Sequence, residues 1–266
     1  KDHSIMEFYP EIGVTRDVAS RPERSCKAIR YLFSVRYYFD EVTPDNLEPE
    51  GIDLPGFSYY DTQNGFYIYK NDYALPMGFT FDTYVSRSQW ETYSESDRCN
   101  LLLRALVLED DAVETYQKDM QKLPDAVHQM SDEDLLAECT ERAKTACDSF
   151  TYNSKGFHAT ISTDHENLVF FSVPWEEGWS AEVNGEPVAI EKADIGFMAV
   201  PVAAGDSEIT FTYHTPGLKA GALLSLGGLV LFAGYLTVAG IYNKRHPNPK
   251  TESICCVDYS TEETAN

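Results

Sequence analysis

The sequence predicts an α+β protein, mostly β. The expected form is an extracytoplasmic β-sandwich-like domain with an acidic helical insertion, followed by one transmembrane helix. Three observations carry this. Residues 220–242, AGALLSLGGLVLFAGYLTVAGIY, hold no charge. Residues 157–213 break into short, turn-separated β-type segments. Residues 91–150 hold 15 carboxylates against 6 Lys and Arg, with apolar residues at helical spacing.

Composition sets outer limits. At ~100–200 residues per domain, the 266 residues suggest one large or two small domains. Apolar residues make up 43%, enough for a real core. The net charge of -22 repels phosphate backbones and anionic lipid, which argues against a nucleic-acid partner. The 17 Tyr and 14 Phe favour strands.

The uncharged run of 23 residues would make a helix of ~34 Å, long enough to cross a hydrocarbon core of ~30 Å. Core helices seldom run this far without a charge. Lys219 flanks one end; Lys244 and Arg245 flank the other. The denser cationic end reads as cytoplasmic. Residues 1–216 are then extracytoplasmic and 243–266 a cytoplasmic tail. Acid dominates the outer part, where residues 1–219 carry 18 Lys and Arg against 39 Asp and Glu. The chain starts Lys-Asp-His-Ser without a signal peptide. A translocated domain needs an upstream export signal, so a C-terminal piece of a longer protein is expected.

The elements follow in order. Residues 1–90 read as a β-rich segment, opened by an irregular stretch to residue 28 that is broken by Pro10, Gly13 and Pro22. AIRYLFSVRYYF, 28–39, reads as one strand. A loop at 43–56 carries Pro44, Pro49 and Pro55. In FSYYDTQNGFYIYK, Asn64-Gly65 between aromatic runs marks a type I′ hairpin. NDYALPMGFTFDTYV is a further extended stretch.

Residues 91–150 form the acidic helical insertion. Ser96 is expected to cap a helix through NLLLRALVL. A second helix starts at Ser131, with Asp134 completing a capping box. Its apolar face is Leu135, Leu136, Cys139, Ala143, Ala146 and Cys147. In residues 151–216, HATIST, NLVFFSV, SAEV, PVAIE, FMAVPV and SEITFTYH read as strands. Asn184-Gly185 marks a second hairpin and Ala204-Gly205-Asp206 another turn. Thr215-Pro216-Gly217 leads into the membrane helix, 217–242, with little linker, which keeps the β domain near the bilayer.

Chemical motifs are sparse. Of six cysteines, Cys26, Cys99, Cys139 and Cys147 precede the membrane helix; Cys255 and Cys256 follow it. On a continuous helix Cys139 and Cys147 stand ~12 Å apart, beyond the ~7 Å a disulfide spans. Any outer disulfide must therefore use Cys26 or Cys99. Neither metal-ligand spacing nor a nucleotide loop occurs, so no metal, cofactor or catalytic residue is assigned. Asp110-Asp111 and Asp132 with Asp134 could form an acid–base pair or cation site; a solvated helix face is the plainer reading. Trp175 and Trp179 flank Glu176-Glu177-Gly178. Rings beside carboxylates suit glycan contact. The plainer reading puts one Trp in a core and the other at a strand end. Gly217, Gly221 and Ser225 recur every four residues, a spacing that lets another helix approach closely.

Residues 171–232 resemble the C-terminal end of YfhO-type bacterial membrane proteins. The matching features are Ser172-Val173-Pro174, Gly178-Trp179, the Asn184-Gly185 turn, Gly196-Phe197, Ala204-Gly205, Tyr213 and Pro216-Gly217. LFSVRYYF at 32–39 and NDYALPMGF at 71–79 are similar to two further family stretches. Asn184 stands where the family often has Asp. The resemblance implies a GT-C-type glycosyltransferase, moving sugar from a lipid-phosphate carrier to a cell-envelope polymer. The implied partners are the membrane, upstream membrane helices of the same polypeptide, the lipid-linked sugar and the envelope glycopolymer. The family's catalytic carboxylate lies in an early external loop, so no catalytic residue transfers to this sequence. The resemblance then implies an accessory or acceptor-positioning role, the domain covering the membrane-embedded active site or helping to position the acceptor. The rival reading is a single-pass, membrane-anchored binding module, with Cys255-Cys256 acylated and Tyr259 modified.

The small-residue ridge generates the first prediction. Gly221→Leu lowers the level of the membrane-inserted protein, while Leu231→Ile leaves it unchanged. Immunoblots of membrane fractions decide it; equal levels for both variants mean that the helix is only an anchor.

Overall fold

The computed structural model describes residues 4–14, 26–124 and 129–246. Two compact units divide the chain, Lys1–His214 and Thr215–Asn266.

In the first unit, α1 (Ser4–Glu11) and α2 (Ala28–Leu32) precede three strands, β1 (Tyr37–Asp40), β2 (Phe57–Gln63) and β3 (Phe66–Asn71). Then come β4 (Phe79–Thr80), β5 (Thr83–Ser86), α3 (Arg87–Trp90), α4 (Glu95–Leu101), β6 (Leu106–Leu108), α5 (Asp110–Tyr116), β7 (Gln121–Lys122) and α6 (Asp132–Lys144). Eight strands close the unit: β8 (Ser149–Asn153), β9 (Gly156–Thr163), β10 (Asn167–Pro174), β11 (Trp179–Val183), β12 (Glu186–Val188), β13 (Glu191–Ala193), β14 (Phe197–Val202) and β15 (Gly205–Tyr213). The second unit's described part is one helix, α7 (Leu218–Arg245).

The strands form three sheets, ordered β1-β3-β2, β4-β10-β14-β13-β6-β5-β7 and β12-β11-β15-β9-β8. The seven-stranded sheet draws strands from residues 1–90, 91–150 and 151–216 alike. It is mixed, because β5 runs parallel to β6 and β7 while its other pairs are antiparallel.

Its strands β10 and β14 are buried on both faces. Along β10, Leu168 and Phe170 enter one core while Val169 and Phe171 enter another. Along β14, Phe197 and Ala199 take the first side; Met198, Val200 and Val202 take the second. The first core lies under the helices, with Phe8, Trp90 and Leu135. The second lies against the five-stranded sheet, through Ala159, Ile161, Ile209 and Phe211. A strand covered on both faces reads as a near-continuous apolar run, which explains LVFF at 168–171 and FMAVPV at 197–202.

Local chemistry explains the turns and helix starts. Asn64, Gly65, Asn184 and Gly185 all have positive φ, as both central residues of a type I′ turn require. Ser131 and Asp134 complete their capping box. Glu11 ties α1 to α3 and α4: its carboxylate meets Arg87 Nη2 and Arg98 Nη1, each at 2.6 Å, and the Trp90 indole N–H at 3.2 Å. Burial opposes the Glu11 charge, but the Arg87 hydrogen bond and the two guanidinium charges outweigh it and hold the carboxyl below its usual range. A disulfide joins Cys26 and Cys99, 73 residues apart, while Cys139 and Cys147 are buried free thiols pushed up to about 12 by burial.

Several sequence expectations need correction. The stretch 28–39 is not one strand: 28–32 is helical, Ser34 turns the chain with φ 55°, and pairing starts at Tyr37. A helix, α1, occupies part of the opening stretch expected to be irregular. Ser94, not Ser96, caps α4, accepting from the Asp97 N–H, and LVL at 106–108 is a strand because it fills a slot beside β5. PVAIE splits, with β12 in the five-stranded sheet and β13 in the seven-stranded one. The turn expected at Ala204-Gly205 passes the chain from β14 in the seven-stranded sheet to β15 in the five-stranded one. On α6 the buried residues are Leu135, Cys139 and Arg142; Ala143 faces outward. Arg142 is buried because its guanidinium donates to Thr80 O at 2.6 Å. The helix stops at Lys144, so Cys147 lies beyond it. Cys255, Cys256 and Tyr259 lie outside the described residues.

Asp194 is a fully buried carboxyl group. With Ile195 it takes positive φ, 43° and 66°, between β13 and β14. Its backbone N–H donates to Val107 O at 2.9 Å and its Oδ1 accepts from the Val107 N–H at 2.8 Å. It thereby ties that hairpin to β6. Oδ2 is buried without a hydrogen-bond partner. Burial raises the carboxyl pKa to about 7, against the opposing pull of the Val107 bond. A folded-state pKa raised above the unfolded value means stability that is complete in acid and lost as pH rises toward 7. Asp194→Asn keeps the acceptor and suits positive φ. We expect it to raise the melting temperature at pH 8, with a gain about 3 kcal/mol larger there than at pH 5. Thermal melts of both proteins across that range check this; parallel pH profiles would mean that Asp194 is not the titrating group.

Candidate functional site

The five-stranded sheet ends in an aromatic groove of about 350 Å³. Trp179 opens β11 and stands opposite Tyr213 of β15. The β8–β9 hairpin supplies Phe150, Tyr152, Lys155 and Phe157, and Val173 of β10 closes one side. The rings hold one another. Trp179 lies 5.0 Å from Tyr213 and edge-on to Phe157 at 5.6 Å, and Phe157 stacks on Phe211 at 4.4 Å. Such contacts add ~0.5–1.5 kcal/mol each beyond their buried area, so the Trp179 ring is fixed before any ligand arrives.

Backbone bonds fasten the rim. The Tyr213 N–H donates to Lys155 O at 2.7 Å, and the His214 N–H to Gly178 O at 2.8 Å. The Tyr213 hydroxyl donates to Glu176 Oε2 at 2.8 Å. That bond to a carboxylate raises the phenol's pKa and keeps it protonated. Gly178 allows the close approach: a Cβ there would stand 2.5 Å from Tyr213 Cε2 and 2.6 Å from His214 O.

The structure separates the two tryptophans. Trp179 lines the groove; Trp175 does not. The Trp175 backbone N–H donates to Gly196 O at 3.0 Å, and Lys192 Nζ lies 5.9 Å from its ring centroid. Glu176, between them in sequence, orients Tyr213. Tyr152, 82% exposed, is the wall residue that sequence reasoning missed. The turn signal Asn153-Ser154 before Lys155-Gly156 could have revealed it, since it brings Tyr152 and Phe157 opposite each other.

The acidic pairs serve helix starts. Asp110 accepts from Ser88 N–H at 3.1 Å and from its hydroxyl, and those bonds lower its pKa. Asp111 accepts from the Ala112 N–H at 2.9 Å, and Asp134 belongs to the capping box. Asp132 pairs with Lys27 at 2.6 Å, and Lys27 also meets Asp53. Those two residues border a larger hollow of about 450 Å³ whose lysine already has two carboxylate partners. The aromatic groove is therefore the better candidate site.

In the second unit, Gly217 caps α7 with φ 75°, and Gly221 and Ser225 lie one turn apart on the helix. The helix is 28 residues long and, among the described residues, is the one long and apolar enough to cross a membrane. All of its large apolar side chains are exposed.

The close packing at Gly178 generates a prediction. Gly178→Ala must displace the Tyr213 ring or the chain at His214, with a cost of about 2 kcal/mol. Trp fluorescence should shift as the Trp179–Tyr213 contact opens. An unchanged melt and spectrum would show that the rim is looser than these distances imply.

Comparison with known proteins agrees with the sequence motifs. The family model described as "Bacterial membrane protein YfhO" matches residues 1–134 and 126–225. A relative from Bacillus subtilis (strain 168), "Uncharacterized protein YfhO", is 30% identical over 121 residues, 46% of this chain and 13% of that protein. No solved structure matches. The family match covers most of the chain, both flanks of the aromatic groove and the start of the membrane helix. The chain belongs to the YfhO family of bacterial membrane proteins.

Proposed function

We propose that this chain is the extracytoplasmic C-terminal domain and last membrane helix of a bacterial glycosyltransferase. In this reading the enzyme takes sugar from a lipid-phosphate carrier and adds it to a cell-envelope polymer. The chain positions the acceptor, and the catalytic groups lie elsewhere in the protein. The observation that carries the reading is the Trp179 groove. A preset indole face offers apolar area to the C–H face of a pyranose, with Asn153, Lys155 and the Tyr213 hydroxyl at hand for its hydroxyls. The Cys26–Cys99 disulfide supports the outer placement, since such bonds persist in oxidising compartments. Tyr213 is held protonated, so it supports a hydrogen-bonding role and not a base.

Acceptor positioning is uniform binding, and its loss reads out in KM more than in kcat. In the full-length enzyme, Trp179→Ala should raise the acceptor KM by about tenfold, with the donor KM unchanged and Trp179→Phe largely restoring it. Mass spectrometry of products from lipid-phosphate sugar and envelope polymer measures this. A loss borne by the donor KM, or turnover by the chain on its own, would refute the positioning role.

A further inference from the structure

The three-stranded sheet presents an unusual outer face. Pairing places Tyr37 opposite Lys70 and Phe39 opposite Ile68, with Phe66 two residues along the same strand. A bulge between Tyr59 and Asp61 turns Tyr60 onto this side, where its ring lies 5.6 Å from that of Tyr37. Four large rings thus surround Ile68 and remain 43%, 57%, 59% and 41% exposed at Tyr37, Phe39, Tyr60 and Phe66, respectively. Ile68 beneath them is 7% exposed. Exposed aromatic residues gathered on one face mark an interaction surface.

Its chemistry narrows the partner. The Tyr37 and Tyr60 rings are tilted 55° to each other, which gives no flat platform for a run of stacked sugars. Phe39 and Phe66 have no polar tip to bond a hydroxyl. Charge is sparse in a chain of net charge -22. Lys70 is paired with Asp72 at 3.5 Å, and Asp61 is turned onto its own strand end, accepting from Thr62 N–H at 2.8 Å and Gln63 Nε2 at 2.7 Å. Tyr and Phe rings beside a lysine suit the headgroup region of a bilayer, where apolar ring and polar tip are both satisfied. The same chain carries a helix able to cross a membrane. Tethering holds the first unit at high local concentration over the lipid, so weak insertion suffices. A near-neutral face is the part of an acidic protein that approaches lipid without repulsion.

We propose that this face of the β1–β3–β2 sheet docks on the headgroup layer of the membrane in which the chain is anchored, with Phe39 and Phe66 inserted. The test uses the whole chain in phosphatidylcholine vesicles, plain or with acyl chains brominated near the carbonyl. Phe39→Trp adds a reporter on the face; Glu182→Trp, exposed on β11, adds one elsewhere. The emission added by Phe39→Trp should fall by about half in brominated vesicles, with little change for Glu182→Trp. Phe66→Trp reports on the same face should Phe39→Trp fail to fold. Equal quenching at all sites, or none on the sheet, overturns the proposal. So does a response of Phe39→Trp to soluble envelope polymer without lipid quenching, which would assign the face to a glycan.

Discussion

Both cores of the first unit depend on β10 and β14, whose side chains alternate between them. Leu168, Phe170, Phe197 and Ala199 serve the helices; Val169, Phe171, Met198, Val200 and Val202 serve the five-stranded sheet. A one-residue slip in either strand would exchange the two sets and misfit both cores at once. Register is therefore specified twice over. With the register fixed, β6 can hold the strained turn at Asp194, and the five-stranded sheet can hold an aromatic groove.

The acidity of the chain looks different once its partners are visible. The carboxylates of Asp110, Asp111 and Asp134 accept backbone N–H bonds at or near helix starts. Anions there also oppose the helix dipole favourably. Glu11 holds two arginines, and Lys27 holds two aspartates. Much of the charge that suggested acid–base chemistry is thus local scaffolding for short helices, which are marginal without caps.

What was legible in the sequence had a local cause. Asn-Gly needs positive φ at both residues, so the hairpins at 64–65 and 184–185 follow from two letters each. The Ser131–Asp134 box and the uncharged span after Lys219 are equally self-contained. The failures share another cause, which is tertiary selection. Residues 28–32, apolar but for Arg30, and residues 106–108 are short stretches whose state depends on the slot that receives them; one fills a helix site and the other a strand site. PVAIE carries no letter that says the chain changes sheets at residues 189–190. The groove was half legible. Trp179 and the Gly178 before it stood out, but Tyr152 joins them only through pairing of β8 with β9.

The Cys26–Cys99 bond links residues 73 positions apart and encloses the whole three-stranded sheet, with the Pro-rich loop at 43–56. In the chain-entropy view a ring of that size restrains the unfolded state by about 4 kcal/mol. Its topological effect is separate from its energy. A single cut anywhere in the ring leaves two fragments that are still one covalent molecule, joined through Cys26 and Cys99. On a surface exposed to proteases, the long loop is then a place where the protein can be nicked and retained, and only reduction together with cleavage would shed its N-terminal part.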